Sequence, residues 1–284
     1  MNSTRKKIII LFSVFVFTAW NSNAQTSEMG IMLGVAEYKG DLKNQLYNFK
    51  DIHPGGGILY RRYFNNHWAF KAGINIMRVS AADSTSGDPY QEYRNLSFRS
   101  NIQELTTQFE LNFFKFQTAN PSTNWTPDLL GGITIYHFNP EANLNGSWYK
   151  LQPLGTEGQG TTANPDRKPY KRVTAAFTFG GGFKFRLSRR FGLAIETGAR
   201  KTYSDYLDDV SKTYADKNAI AAINGNTAAL LSDRSIDQLN NDNLNRDRGN
   251  RNDKDWYVFT GVQLNYTLSK FYNDSCKPFR TKLR

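Results

Sequence analysis

Three histidines, His53, His67 and His137, and a single cysteine, Cys276, are the side chains of this sequence best suited to hold a metal or attack an electrophile. The histidines fall in a loop, a short turn and a strand end, and no pair has the helical spacing that zinc sites use. TYSDYLDDVSKTY (202–214) gathers Asp205, Asp208 and Asp209, yet the spacing is not that of a twelve-residue calcium loop and the closing glutamate is missing. Turn and cap work is the expectation for these carboxylates. GTEGQGTT (155–162) is glycine-rich but has neither the lysine nor the following helix of a phosphate loop, so it reads as a shaped turn. His137, Glu141 and Ser147 are the residue types of a hydrolytic triad, but a triad needs mutual geometry that nearness in sequence does not supply. No catalytic residue, metal ligand or cofactor is assigned, and a non-enzymatic protein is expected.

The segments that must position these residues are strands. Period-two alternation recurs over about 28–37, 54–64, 67–80, 101–116, 128–138, 171–187, 191–203 and 256–268, and no long stretch carries a helical apolar stripe outside the loops. An even count suits a closed antiparallel barrel. The connections after strands one, three, five and seven are long, and those after strands two, four and six are shorter (NN, QTANPSTNWTP and SRR). Such sorting is expected of a membrane barrel with one rim outside and the other in the periplasm; a soluble sandwich has no reason for it. The fold class read here is all-β, an eight-stranded antiparallel transmembrane β-barrel with short periplasmic turns and long extracellular loops.

Register sharpens the expectation. With 188–190 as a three-residue loop, Leu187, Phe185 and Phe183 face Phe191, Leu193 and Ile195, and the opposite face carries Lys184, Arg186, Glu196 and Arg200. Lys184 and Glu196 then lie diagonally, with Gly182 leaving room. With Asn65–Asn66 as a two-residue turn, Tyr63 meets Trp68, and Arg62, Tyr60, Lys71 and Asn75 share the polar face. That parity leaves Arg61 on the lipid side, where it must snorkel or mark a bulge. Strand four sets Leu105, Phe109, Leu111 and Phe113 against Glu104, Gln108, Glu110 and Asn112. Strands of this length can cross a bilayer at about 9–11 tilted residues. The polar face would fill a crowded lumen in which Arg62, Lys71, Lys184 and Arg186 are offset by Glu104, Glu110 and Glu196, so no open pore is expected. Tyr63, Trp68, Phe113, Phe191 and Tyr266 suit an aromatic girdle at one rim, and Tyr136, Tyr203 and Trp256 one at the other.

The start has the layout of a cleaved signal peptide over 1–24: Arg5, Lys6 and Lys7, an apolar run from Ile8 to about Trp20, then Ser22 and Ala24 before the cut. Integral placement in the outer membrane after export follows. The formal charge of +11 drops by three with that segment, and an exported protein meets little nucleic acid, so the excess is assigned to solvated loops or to outer-membrane lipid headgroups. The barrel is read over 25–271, with a long loop at 204–255 whose polar half, NNDNLNRDRGNRNDKD, is expected to be mobile. A periplasmic tail follows at 272–284. Cys276 lies in that tail without an internal disulfide partner, as a buried bystander or an intermolecular link.

GVAEYKGDL (34–42), SNIQEL (100–105), FNPEA (138–142), WYKLQPLGTEGQGT (148–161), FGGGFKFRLS (179–188), TYSDYLDDVSKTY (202–214) and RGNRNDKDWYVFTG (248–261) occur in this order. Together they resemble the PorG-type outer-membrane barrel of the type IX secretion system; LQPLGTEGQGT and DYLDDVS are the most specific strings, and about 217–245 matches least. The resemblance implies a non-enzymatic component that seats a secretion machine at the outer membrane. Its implied partners are a periplasmic ring lipoprotein and associated secretion subunits, serving cargo export and gliding motility or virulence. Cys276, past the last strand, would then lie on the side where it can reach that lipoprotein, and the basic residues Lys277, Arg280, Lys282 and Arg284 would steer or merely solvate the terminus. A lipid-modifying outer-membrane enzyme and a surface-binding barrel acting through its long loops are the alternatives.

Overall fold

A computed structural model of the chain describes residues 26–43, 51–119, 123–236 and 243–268. Eight strands form the wall: β1 (Ser27–Lys39), β2 (His53–Tyr63), β3 (Trp68–Ala82), β4 (Ser97–Asn112), β5 (Trp125–His137), β8 (Val173–Arg186), β9 (Phe191–Thr202) and β10 (Trp256–Thr267). Each pairs antiparallel with its neighbour, and β1 pairs with β10 from Glu28↔Thr267 to Lys39↔Trp256, which closes the ring. The fold is therefore a closed eight-stranded antiparallel β-barrel without a free wall edge. A small hairpin, β6 (Pro140–Leu144) and β7 (Ser147–Lys150), prolongs β5 along the upper end of β4, where Arg99 meets Glu141. Among the described residues three short helices, α1 (Pro89–Arg94), α2 (Lys217–Asn224) and α3 (Asn226–Ser232), lie in the long connections.

Alternation decides what each face touches. On β3, Trp68, Ile74 and Ile76 are exposed on the outside, while Ala69, Lys71, Asn75 and Met77 are buried within. On β4, Leu105 and Phe109 point out, and Glu104, Gln108, Glu110 and Asn112 point in. The outside is an apolar wall. From Trp68 to Ile76 it runs about 27 Å along the strand, or roughly 20 Å along the axis at the usual tilt of about 40°, close to the band of an outer-membrane barrel. No helix among the described residues is long and apolar enough to cross a membrane, which says nothing about a strand barrel.

The β8–β9 register is Phe185↔Leu193 and Phe183↔Ile195, as the three-residue loop predicts. A Cβ at Gly180 would strike the Thr197 carbonyl oxygen, and one at Gly182 the Ile195 carbonyl oxygen, so the glycines let β8 and β9 approach. The β2–β3 register differs by one residue from the expectation. Its turn has three residues, 65–67, and the Asn65 side chain accepts from His67 N at 2.8 Å and Trp68 N at 2.9 Å. Tyr63 therefore pairs with Ala69, and the parity of β2 inverts. Arg61 points into the lumen and Arg62 lies half-buried on the outer parity, the reverse of the sequence reading. Tyr63 and Tyr136 likewise point inward and are buried, so neither belongs to a girdle; Trp68, Phe113, Phe191, Tyr266 and Tyr203 are exposed.

Strand bounds shift by a few residues elsewhere. β4 runs from Ser97 to Asn112, and Phe116 leaves the strand to join Tyr63 and Ala69 in an apolar floor at the short-turn end. Segment 1–24, expected to be a signal peptide, and Cys276 with the tail 272–284 lie outside the described residues.

Candidate functional site

The lumen is filled by a charged network. Arg61, 1% exposed, donates from Nε to Glu110 at 2.7 Å, from Nη1 to Glu28 at 3.1 Å and from Nη2 to Gln263 at 2.9 Å. Lys184 donates to Glu110 at 2.6 Å and Asn112 at 2.9 Å, and lies 3.5 Å from Asp128. Lys71 bridges Glu110 at 3.1 Å and Glu196. Above them Glu104 accepts from Arg200 and Tyr257, both at 2.8 Å. Such charges tolerate burial because each has partners close by. Glu110, Asp128 and Glu196 are the one carboxylate group among the described residues near enough to hold a metal. Lys71 and Lys184 already reach into that group, which identifies it as part of the ion-pair plug. A void of about 10 Å³ beside Lys71 and Gln263 has room for about one water.

Of the residues expected to line the lumen, Lys71, Glu104, Glu110, Lys184 and Glu196 meet in this network, and Arg186 sits half-exposed at its short-turn end beside Asn124. Arg62 does not join it. Lys184 and Glu196 are diagonal, as the register requires, but each takes other partners. Gln263, on the polar face of the last strand, joins the network as its alternation requires. Arg61, Glu28 and Asp128 were not expected there, and the signal for Arg61 was Asn65, whose side chain closes the three-residue turn.

The long connections build an ordered cap over this plug. Tyr170 stacks between Phe138 (centroids 6.0 Å apart) and Tyr206 (4.6 Å). Glu157 accepts from the amides of Ser211 at 2.8 Å and Lys212 at 2.9 Å, while Thr156 and Tyr170 donate to the Asp209 carboxylate. Arg248, buried, donates to the Asp209 carbonyl at 2.6 Å and pairs with Glu157 at 3.3 Å. Asp41 receives the Asn250 amide at 3.0 Å on both oxygens. Arg94, at the end of α1, clamps Asp83 at 2.7 Å through two nitrogens and donates to the Arg248 carbonyl. Segments around 34–42, 148–161, 202–214 and 248–261 thus converge on one another. Of the polar half of the long loop, expected to be mobile, residues 243–255 pack into this cap, with Arg248 bonded to Asp209 and Glu157 and the Asn250 amide to Asp41.

Cap electrostatics follow from burial. Burial pushes the Asp209 carboxyl up to about 6 against the pull of Arg248, and Asp205 up to about 6 against the Ser211 hydroxyl. The Tyr38 hydroxyl lies 2.6 Å from Asp208 and 2.9 Å from Asp255. One hydroxyl proton cannot serve both carboxylates, so the second contact needs a proton on an acid. Burial raises both acids, and the neighbouring Asp255 carboxylate raises Asp208 further. Between the loops lies a cleft of about 810 Å³ lined by Asp41, Arg94, Arg167, Lys212, Asp247 and Arg248 among others. His137, Glu141 and Ser147 bring no triad together: Glu141 pairs with Arg99 and faces Lys150, and Ser147 is exposed opposite Leu144.

A family model described as "Domain of unknown function (DUF6089)" matches residues 5–232, and the chain belongs to that family. No curated protein sequence matches it. Among solved structures it is similar to the outer membrane protein OprG of Pseudomonas aeruginosa (8% identity, TM-score 0.41, covering 87% of this chain and 98% of that one). It is also similar to Neisserial surface protein A (6%, 0.40, 84% and 96%). A third likeness is to Ail, the attachment invasion locus protein of Yersinia pestis (12%, 0.38, 85% and 99%).

Proposed function

From the sealed barrel and the resemblance of its sequence strings to PorG-type barrels, we propose that this chain is a non-enzymatic, non-conducting component of the outer membrane, and that it anchors a periplasmic ring complex of the type IX secretion system there. The observation that carries the reading is the convergence of the segments resembling PorG-type barrels. The strings around Glu157, Asp209, Arg248 and Asp41 interlock in one cap of this chain, so the residues that carry the likeness lie in a built feature apart from the alternation common to all barrels, which supports the reading. A plugged lumen supports work at surfaces in place of passage through the wall. In this reading the long-loop rim faces outward and the short-turn rim faces the periplasm. The segment beyond β10, with Cys276, then enters the periplasm and meets a ring lipoprotein, after export through a signal peptide cleaved near Ala24.

Deleting the gene tests the reading: secreted cargo should vanish from the medium, whereas normal secretion contradicts it. A second reading, a surface-binding barrel acting through its loops, is favoured by the 810 Å³ polar cleft in the cap. It predicts that replacing 246–253 with a short linker removes the phenotype while secretion stays intact.

A further inference from the structure

Where the apolar wall of β3 and β4 ends at the long-loop rim, the outward positions turn polar and basic. On β3, Ile74 and Ile76 give way to Arg78 and Ser80; on β4, Leu105 gives way to Gln103, Asn101 and Arg99. The β6–β7 hairpin stands on β4 at this height and brings Trp148 over Arg99, 3.5 Å from the guanidinium carbon to the ring centroid. A niche of about 310 Å³ opens there, lined by Asp51, His53, Arg78, Ser80, Arg99 and Trp148.

Two guanidiniums are held in place around it. Arg78 donates Nε to Asn101 at 2.8 Å, and among the described residues no carboxylate pairs with it. Arg99 donates Nε and Nη2 to Glu141, each at 3.2 Å, and is flattened against Trp148, with Nη1 making no hydrogen bond among the described residues. Ser80 pairs with Arg99 and Arg78 with Asn101, so the two arginines are diagonal neighbours, about 7–8 Å apart at the backbone. That spacing lets two forked side chains close on one phosphate, the geometry for which guanidinium is suited. The acids nearby are already engaged, Glu141 by Arg99 and Asp51 by Lys43 at 3.6 Å. His53 Nε2 is bonded to Ser80 Oγ at 2.6 Å, which fixes the rear wall.

We propose that this niche binds the phosphorylated headgroup of a lipid in the leaflet at the long-loop rim. Arg78 and Arg99 hold the phosphate, and the acyl chains run down Ile74, Ile76 and Leu105. A soluble phosphate would offer the same chemistry, but the niche opens onto the end of the apolar wall, which only a lipid uses. The inference rests on the barrel's spanning a membrane and not on its docking a secretion complex.

The test places the full chain in phosphatidylcholine nanodiscs carrying a trace of diphosphorylated lipid A or its dephosphorylated form, with retained lipid counted by native mass spectrometry. Co-flotation of the chain with lipid checks separately that it is membrane-embedded. Wild type should retain the phosphorylated lipid and release the other, and Arg78→Gln with Arg99→Gln should lower retention about tenfold or more, since bonds to charged groups are being lost. Lys201→Gln, a basic rim position on β9 outside the niche, should behave as wild type. Equal retention of both lipids by wild type, or unchanged retention by the double variant, overturns the proposal. Displacement of the lipid by millimolar inorganic phosphate would assign the niche to free phosphate and overturn the lipid assignment.

Discussion

The guanidinium of Arg61 grips both carboxylate oxygens of Glu110, at 2.7 and 3.2 Å, across the interior of the barrel. Glu110 also receives Lys184 and Lys71, so one carboxylate ties β2, β3 and β8 to β4. Glu110→Ala leaves three buried cations short of a partner and should cost about 3–5 kcal/mol. Arg62→Gln, one residue from Arg61 but on the outer parity, should change stability by no more than about 0.5 kcal/mol. Urea unfolding in detergent micelles, followed by the gel shift between folded and heated protein, checks both. Similar losses from the two variants would place Arg62 in the network after all.

Most of the wall was legible in the sequence because strand alternation and loop length are local signals. The β8–β9 register follows from Ser188–Arg190, whose length the sequence displays. β2 was not legible for an equally local reason: Asn65 closes a three-residue turn with its side chain, and one added residue exchanges Arg61 for Arg62 at the lumen. The cap was illegible because its contacts are remote. Tyr38 reaches Asp208 across 170 positions and Arg94 reaches the Arg248 carbonyl across 154, and no periodicity announces such pairs. Arg248 itself lies in a run of polar residues that composition alone assigns to solvent.

Close approach of β8 to β9 yields a steric prediction. Gly180→Val should abolish the folded gel band, since its Cβ meets the Thr197 carbonyl oxygen and the Gly198 backbone. Gly131→Ala, with nothing within 4 Å of the added carbon, should assemble normally. A folded, heat-modifiable Gly180→Val protein would show that the strands can part there.

Cap stability should depend on pH in a defined direction. Asp205 and Asp209 titrate near 6 in the folded cap against 3.8 for an ordinary aspartate, so the folded state binds their protons more tightly than the unfolded one. Their ionisation therefore weakens the cap as pH rises from about 4 through about 6, and the cap should be firmer at pH 5 than at pH 7.5. Arg248 beside Asp209 and Lys254 near Asp205 limit the effect without reversing it. Amide exchange over 205–215, corrected for intrinsic rates, should slow at the lower pH, and Asp209→Asn should flatten the difference. Faster corrected exchange at pH 5 would contradict the sign.

A plugged lumen should not conduct. Purified protein in planar bilayers should give no stable single-channel steps in molar salt. Regular steps whose conductance changes in a lumen variant such as Lys184→Ala would show that current passes through the lumen and that the ion-pair network opens.

Affinity purification of tagged full-length protein from envelopes in mild detergent, wild type beside Cys276→Ser on non-reducing gels, tests the anchoring role most directly. The account predicts that a periplasmic lipoprotein and its ring partner co-purify with the wild type. A higher band lost in Cys276→Ser would place the contact at the thiol, and recovery from both would leave the anchoring intact without a disulfide. A barrel recovered alone from both preparations would contradict the account.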